Sequence, residues 1–452
     1  MAYQVFCAPT RQLGRLPWEA WGLANVQLQD LRESAAWRAY ADGEELVVEH
    51  PWGVPVAVYW WELEPGVVLL SDNLTAFARL PAVRALGLDA VRLGELAREA
   101  RASDGTRTVY RAVRSLPAGH ELRLGARETR ARAMSAPSSL PRVGSALQQL
   151  SASIEWAVAR AIGGAEKVAV MGGGGVDSSA LFAAAQRQVG SRRASLIALC
   201  FDGEDSDLPY LDMLEQSLGV RASRLEPRQT HGLWPEAFMM DAQPYLWPTG
   251  AWELCSARQA KMLGADVFLT GAGGDDVFDP WWPQGRFSRR WSADERLNAF
   301  YTHRLRTMSM HSRAQLQFAS GIAVREPYFD MELVCAAAGM SAAELMLGGQ
   351  SRGLLRQSMK GAVPDAICER RSKADFTEAL IAGVYESPSW PLVRELGRAE
   401  LLSAHGMTYV RTFRELFRRL DDDPRQGELW AALWPALAVE YFLRHWSAQT
   451  NP

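Results

Sequence analysis

The chain has 452 residues, 48% of them hydrophobic, which predicts two or three domains of roughly 100–200 residues with ample material for their cores. A formal net charge of −3 with no long basic block excludes a nucleic-acid surface as the main partner. Five cysteines without paired spacing (Cys7, Cys200, Cys255, Cys335, Cys368), an N-terminus without signal-peptide character and no window long enough to cross a membrane exclude a disulfide framework, a zinc site and a membrane partner, and predict a cytoplasmic protein with reduced thiols.

In chain order, residues 45–49, 54–61, 67–71, 108–113 and 120–124 read as strands and 74–86 and 93–102 as helices, separated by turns at Pro65-Gly66 and Pro117-Ala118-Gly119. Residues 135–141, small and prolyl without periodicity, read as a linker. The expected organisation is a first domain over 1–134, a linker over 135–144 and a second domain over 145–452. A helix at 145–162 opens the second domain. The strand, glycine loop and helix of 168–185 follow, and strands at 194–201, 222–225 and 267–270 then alternate with helices at 208–218 and 250–263, which predicts a doubly wound parallel sheet. Beyond Phe278 the strand signals stop and the chain is expected to be helical to its end, most clearly at 429–445.

The run VAVMGGGGVDSSALFAAA at 168–185 reads as strand, phosphate loop, helix. Glycines at 172–175 remove every side chain where the backbone turns, so successive N–H groups and the helix N-terminus can face one anion. Asp177 beside a gripped phosphate makes sense with a divalent cation between them, magnesium, and Ser178 and Ser179 can donate to phosphate or cap the helix. Taken alone, such a run is also what an ordinary glycine-rich turn with an N-cap looks like. No Lys-Ser or Lys-Thr follows the glycines, so this is not a Walker loop. A second strand, glycine loop and acid pair follows at 268–278 (FLTGAGGDDVF). Both loops would lie at the C-terminal edge of the sheet, where Asp177 and Asp275 could share one magnesium.

The first loop resembles the pyrophosphate loop of the ATP pyrophosphatases, SGGxDSS, with Gly173 where serine is common. The second resembles the GxGxDE segment of the asparagine synthetase family. Residues 325–330 (REPYFD) resemble that family's RVPFLD, residues 363–367 (VPDAI) with Arg371-Ser372-Lys373 and Phe376 its P-x-x-I and R-x-K-x-x-F, and residues 108–120 its segment ending LPPGH. The resemblance covers nearly the whole chain. It implies a degenerate glutaminase-like α+β domain of the N-terminal-nucleophile type, followed by an α/β ATP pyrophosphatase domain with a helical C-terminal part. It also implies an AMP-forming carbon–nitrogen ligase using ATP and Mg2+. On that reading Gly173, Gly174, Gly175, Ser178 and Ser179 hold pyrophosphate, Asp177 and Asp275 hold magnesium, and Val170, Leu199, Phe201, Gly271, Gly273 and Gly274 surround the rest of the nucleotide. Lys373 stabilises charge in the transition state, and Glu326 and Tyr328 are candidate bases.

Two departures narrow the expectation. Ala2 stands where a glutamine-hydrolysing member has its nucleophilic cysteine, and Ala323 where asparagine and β-lactam synthetases look to carry glutamate. The nitrogen nucleophile is then an amine other than ammonia. The relatives most similar on this pattern are lasso peptide cyclases, which join a precursor peptide's N-terminal amine to its own Asp or Glu side chain after leader removal. Expected partners are that peptide and the pathway's leader-binding protein and leader peptidase. The alternatives are a small-molecule amide or lactam synthetase, an asparagine synthetase, or a non-enzymatic scaffold. Residues 279–287 (DPWWPQGRF) would line a peptide-sized mouth or form a lid packed on the core.

Overall fold

The computed structural model of the chain describes residues 6–8, 37–54, 56–64, 67–99, 106–125, 128–135, 137–138, 140–141, 143–201, 206–278, 292–297, 300, 309–372 and 376–450. The first third contributes β1 (Phe6–Ala8), β2 (Arg38–Asp42), β3 (Glu45–His50), β4 (Val58–Glu64), β5 (Val67–Ser71), β6 (Arg114–Leu116), β7 (His120–Leu124) and β8 (Thr129–Ala133). They form two antiparallel sheets, ordered β1-β5-β4-β6 and β2-β3-β7-β8. Val48, Leu122 and Leu124 from one sheet and Val58, Trp60, Val68 and Leu70 from the other fill a shared core, the alternation expected of strands buried on one face. The expected strand at 108–113 does not form. The Thr108 hydroxyl donates to the carbonyl of Val113 at 2.7 Å and accepts from the N–H of Tyr110 at 3.1 Å, a side-chain turn that takes backbone groups a ladder would need.

The expected helix at 74–86 is two helices, Leu74–Ala78 and Pro81–Leu86, because Pro81 holds Leu80 extended (φ −73°, ψ 125°). The helix Ala146–Ile162 begins where its capping box predicts: Ser145 accepts from the Gln148 N–H, and the Gln148 side chain accepts from the Ser145 N–H.

The second part carries β9 (Val168–Met171), β10 (Ala194–Leu199), β11 (Ser223–Leu225), a short hairpin of β12 (Met239–Met240) and β13 (Gln243–Pro244), β14 (Val267–Leu269) and β15 (Ala323–Arg325). Apart from the hairpin these strands form one all-parallel sheet ordered β11-β10-β9-β14-β15. The order reverses between β9 and β14, and a parallel sheet binds ligands above such a switch point. β15 corrects the expectation of helix alone beyond Phe278. Its three residues pair with Val267–Leu269 of β14 and had no apolar run to announce them.

The two parts share a core. The helix Gly427–Thr450 packs on the helix Ala90–Arg98, Tyr409 donates to the carbonyl of Ala97, and Tyr110 to that of Ala242 at 2.7 Å. Asp241 and Ala242 form the two-residue turn of the β12–β13 hairpin, both with positive φ (47° and 51°), as the tight turn between right-twisted strands demands. Cys200, Cys255, Cys335 and Cys368 are free thiols. Among the described residues no helix is long and apolar enough to cross a membrane.

Candidate active site

The two glycine loops meet above the switch point. Gly174, at φ 99°, turns against the helix Leu208–Leu218, where a Cβ would stand 2.7 Å from the Cβ of Tyr210 and 2.9 Å from the N of Leu211. Only glycine fits by both backbone and space. In the second loop a Cβ on Gly274 would lie 2.8 Å from the Cγ of Asp177, so this glycine lets the two loops interlock. The helix Val176–Val189 then starts at Gly175, whose lack of a side chain leaves the first-turn N–H groups without a side-chain cap.

These loops floor a cavity of about 630 Å3. Asp177 and Asp275 converge there on one guanidinium: Arg352 Nη2 pairs with Asp275, and Arg352 Nε lies 3.4 Å from Asp177 Oδ2. Among the described residues no three acidic, histidine or cysteine side chains gather as a metal cage. Two carboxylates focused on one cationic point, with room for phosphate beside them, nevertheless fit magnesium, which takes one or two protein carboxylates and completes its octahedron with phosphate and water. Arg352 itself has left-handed backbone (φ 58°, ψ 28°), unusual outside glycine. It directly precedes Gly353, where a Cβ would collide with the Leu347 backbone.

The opposite wall is aromatic and acidic. Phe201, Trp252 and Phe376 cluster with ring centroids 4.6 Å (Phe201–Trp252) and 4.9 Å (Phe201–Phe376) apart. Next to them Glu253 accepts from the Tyr245 hydroxyl (2.5 Å), the Thr249 hydroxyl (2.9 Å) and Arg313 Nη1 (2.9 Å). Burial weakens the charge of Arg313, but Glu253 and Glu326 on either side more than restore it. Burial first, and then Glu253, pushes the Tyr245 phenol well above its usual range. A third wall carries Asp207 paired with Arg370, whose guanidinium lies 4.1 Å from the centre of the Tyr210 ring. Burial holds the Asp207 carboxyl above the ordinary range while Arg370 pulls the other way. Arg370, Arg371 and Ser372 also line a second hollow of about 510 Å3, edged by Tyr210, Met213 and Glu369.

The asparagine synthase family model matches residues 149–318 and 280–444, which together take in the glycine loops, the sheet and most of the helical part. The chain belongs to the asparagine synthase family. Members of this family are ATP-dependent ligases that form carbon–nitrogen bonds. No curated protein matches the chain closely enough to serve as a relative.

Of the residues singled out from the sequence, Gly173, Gly175, Asp177, Ser178, Leu199, Phe201, Gly271 and Asp275 line the cavity of this asparagine synthase family chain. Val170 is buried in β9 below it, and Gly174, Gly273 and Gly274 shape the loops from behind. Ser179 is fully buried under the loop, its hydroxyl without a hydrogen-bond partner. The two candidate bases, Glu326 and Tyr328, stand off the cavity lining. Glu326 stands behind Arg313, receiving its Nε at 2.5 Å, and Tyr328 is buried with its hydroxyl donating to the Asp177 carbonyl at 2.7 Å. Neither lines the cavity, and burial holds the Tyr328 phenol far above its usual range. Lys373 and residues 279–287 lie outside the described residues, as does Ala2. Sequence reasoning missed Asp207, Glu253, Arg313, Arg352 and Arg370. Only Arg352 carried a signal, its setting between Gly348-Gly349 and Gly353.

Proposed function

We propose that this ligase adenylates an Asp or Glu side chain of a precursor peptide and joins it to the peptide's own N-terminal amine, as lasso peptide cyclases do. The carboxylate oxygen attacks the α-phosphorus of ATP, pyrophosphate leaves, and the amine then displaces AMP from the acyl-adenylate. The protein's part is positioning and charge neutralisation. The Gly173 and Gly175 amides and Ser178 face the leaving pyrophosphate. Asp177 and Asp275 would hold magnesium, which when bound neutralises phosphate charge. Arg352 stands within reach of the same phosphates, and Lys373 takes the role of transition-state donor that the R-x-K match suggests.

The observation that supports a peptide over a compact acid is the second hollow. It shares Arg370, Arg371 and Ser372 with the first, which suits a substrate that runs on past its reacting carboxylate. Ala323, where asparagine and β-lactam synthetases look to carry glutamate, favours an amine other than ammonia. The test incubates the protein with ATP, magnesium and synthetic peptides bearing a free α-amine and one internal Asp or Glu. The expected products are AMP, pyrophosphate and a peptide lighter by one water whose ring resists fragmentation in tandem mass spectrometry. ADP as the nucleotide product, or free asparagine made from aspartate, would overturn the reading.

A further inference from the structure

Four carboxylates line the described cavity: Asp177, Asp207, Glu253 and Asp275. Asp177 and Asp275 share Arg352 on the phosphate side, and Asp207 is tied to Arg370 beside the second hollow. Glu253 stands apart from both, among Trp252, Phe201 and Phe376. A carboxylate offers about four acceptor sites, and Glu253 uses three, for Tyr245, Thr249 and Arg313. Those donors are themselves fixed. Tyr245 is fully buried with its carbonyl accepting the Trp434 indole N–H at 2.9 Å, Thr249 lies one turn earlier at the start of the helix Gly250–Met262, and Arg313 is braced from behind by Glu326. Glu253 is therefore an acceptor-only group locked in one orientation, with capacity for one more donor and a face on the cavity.

We propose that Glu253 receives the attacking amine of the ligation step, accepting a hydrogen bond from it and then its proton. The inference rests on the ligase reading above. The nitrogen lone pair forms the C–N bond at the activated carbonyl carbon. The C–O bond to the AMP phosphate breaks and its electron pair leaves on AMP. The nitrogen's surplus proton passes to a Glu253 oxygen and from there to water. A preoriented carboxylate is worth about 10²–10⁴-fold in such a step, and the apolar aromatic corner keeps water from competing for the amine. Tyr245, Thr249 and Arg313 are positioning residues that act through Glu253.

The test is E253Q, which keeps the side-chain shape but takes no proton, with E253D as the conservative partner. Each protein is given ATP, magnesium and the same synthetic peptides. Isopeptide formation is measured beside interception of the acyl-adenylate by hydroxylamine, a nucleophile that needs little help from a base. In E253Q, isopeptide formation should fall by about 100-fold or more while hydroxamate formation stays within a few-fold of the parent. E253D should recover part of the rate. Equal loss of isopeptide and hydroxamate, or a raised ATP requirement as the main effect, would make Glu253 a structural or nucleotide-binding residue and overturn the proposal. Unchanged isopeptide formation overturns it as well. A parent protein that releases AMP with none of the peptides and forms no hydroxamate defeats the ligase reading itself, a result separate from any behaviour of the variant.

Discussion

Asp241 provides a direct measure of how the first sheets are fastened to the second part of the chain. It is 2% exposed and accepts from the N–H groups of Leu74 (3.3 Å) and Thr75 (3.0 Å) and from the Thr75 hydroxyl (3.0 Å), reaching from the β12–β13 turn to the N-terminus of the helix Leu74–Ala78. Burial pushes its carboxyl up to about 7 from an ordinary 3.8. The Thr75 and Leu74 hydrogen bonds oppose that shift, and the nearby Asp72 adds to it. A rise of about three units at roughly 1.4 kcal/mol each means that ionised Asp241 costs the folded state on the order of 4 kcal/mol. Between the two pKa values the folded protein holds a proton that the unfolded chain has released. Stability is therefore free of this cost below about pH 4, falls as pH rises and levels off above about pH 7. Asp241→Asn carries no charge at any of these values. Its amide would face the Leu74 N–H and lose that bond, an offset independent of pH. Urea unfolding of both proteins from about pH 5 to pH 8 is the assay, and the difference cancels titrations common to both, such as that of buried His50. The variant should gain on the parent by about 1.4 kcal/mol per unit up to about pH 7 and then hold level. Parallel stability curves would refute the buried, proton-holding carboxyl.

Asp177→Asn and Asp275→Asn should each abolish adenylation with little change in folding, read as loss of AMP release at unchanged unfolding midpoint. Near-normal activity with unaltered magnesium dependence would remove the shared-cation role. Gly174→Ala and Gly190→Ala both put a methyl on left-handed backbone (φ 99° and 83°), but only the first meets neighbours, so it should cost about 1–3 kcal/mol more in denaturant unfolding. Lys373→Ala should slow amide formation by the roughly 2.7–4 kcal/mol expected of one preorganised transition-state donor, while nucleotide binding, followed by calorimetry, changes little.

The parallel sheet was legible because strands buried on both faces are continuous apolar runs. The strands β10 and β14 begin at Ala194 and Val267, and the helix Leu208–Leu218 begins and ends, where the pattern predicts. The edge strands β2 and β8 of the first part were not legible. β2 reads RAYAD and β8 reads TRARA, both mostly exposed, and no burial alternation marks them. They exist because β3 and β7 offer ladders, with side-chain pairs such as Tyr40–Glu49 between β2 and β3 and Arg132–Glu121 between β8 and β7 beside the backbone bonds.

The same division runs through the site. Glycine loops are legible because their chemistry is local: the turn, the anion-facing amides and the acid lie within seven residues, 172–178. The charged walls are not, because each pair is made by tertiary approach. Arg352 meets acids 175 and 77 residues earlier, Arg370 meets Asp207 and Arg313 meets Glu253. Five arginines, Arg313, Arg352, Arg356, Arg370 and Arg371, line the cavity with those four carboxylates, and in sequence Arg313, Arg356 and Arg370 look like ordinary solvated charges. Arg352 and Arg313 each serve two acids with one guanidinium fork, as the exposed Arg160 and Arg224 also do, but here the fork is buried, 13% exposed against 39%. A lysine at either position would present a point charge rather than that fork. Arg352 also sustains backbone strain of roughly 1–2 kcal/mol that a surface charge would have no reason to carry. Its guanidinium stands between Asp177 and Asp275, where the ion pairs can offset a cost of that size, and this puts the residue on the glycine-loop side of the cavity.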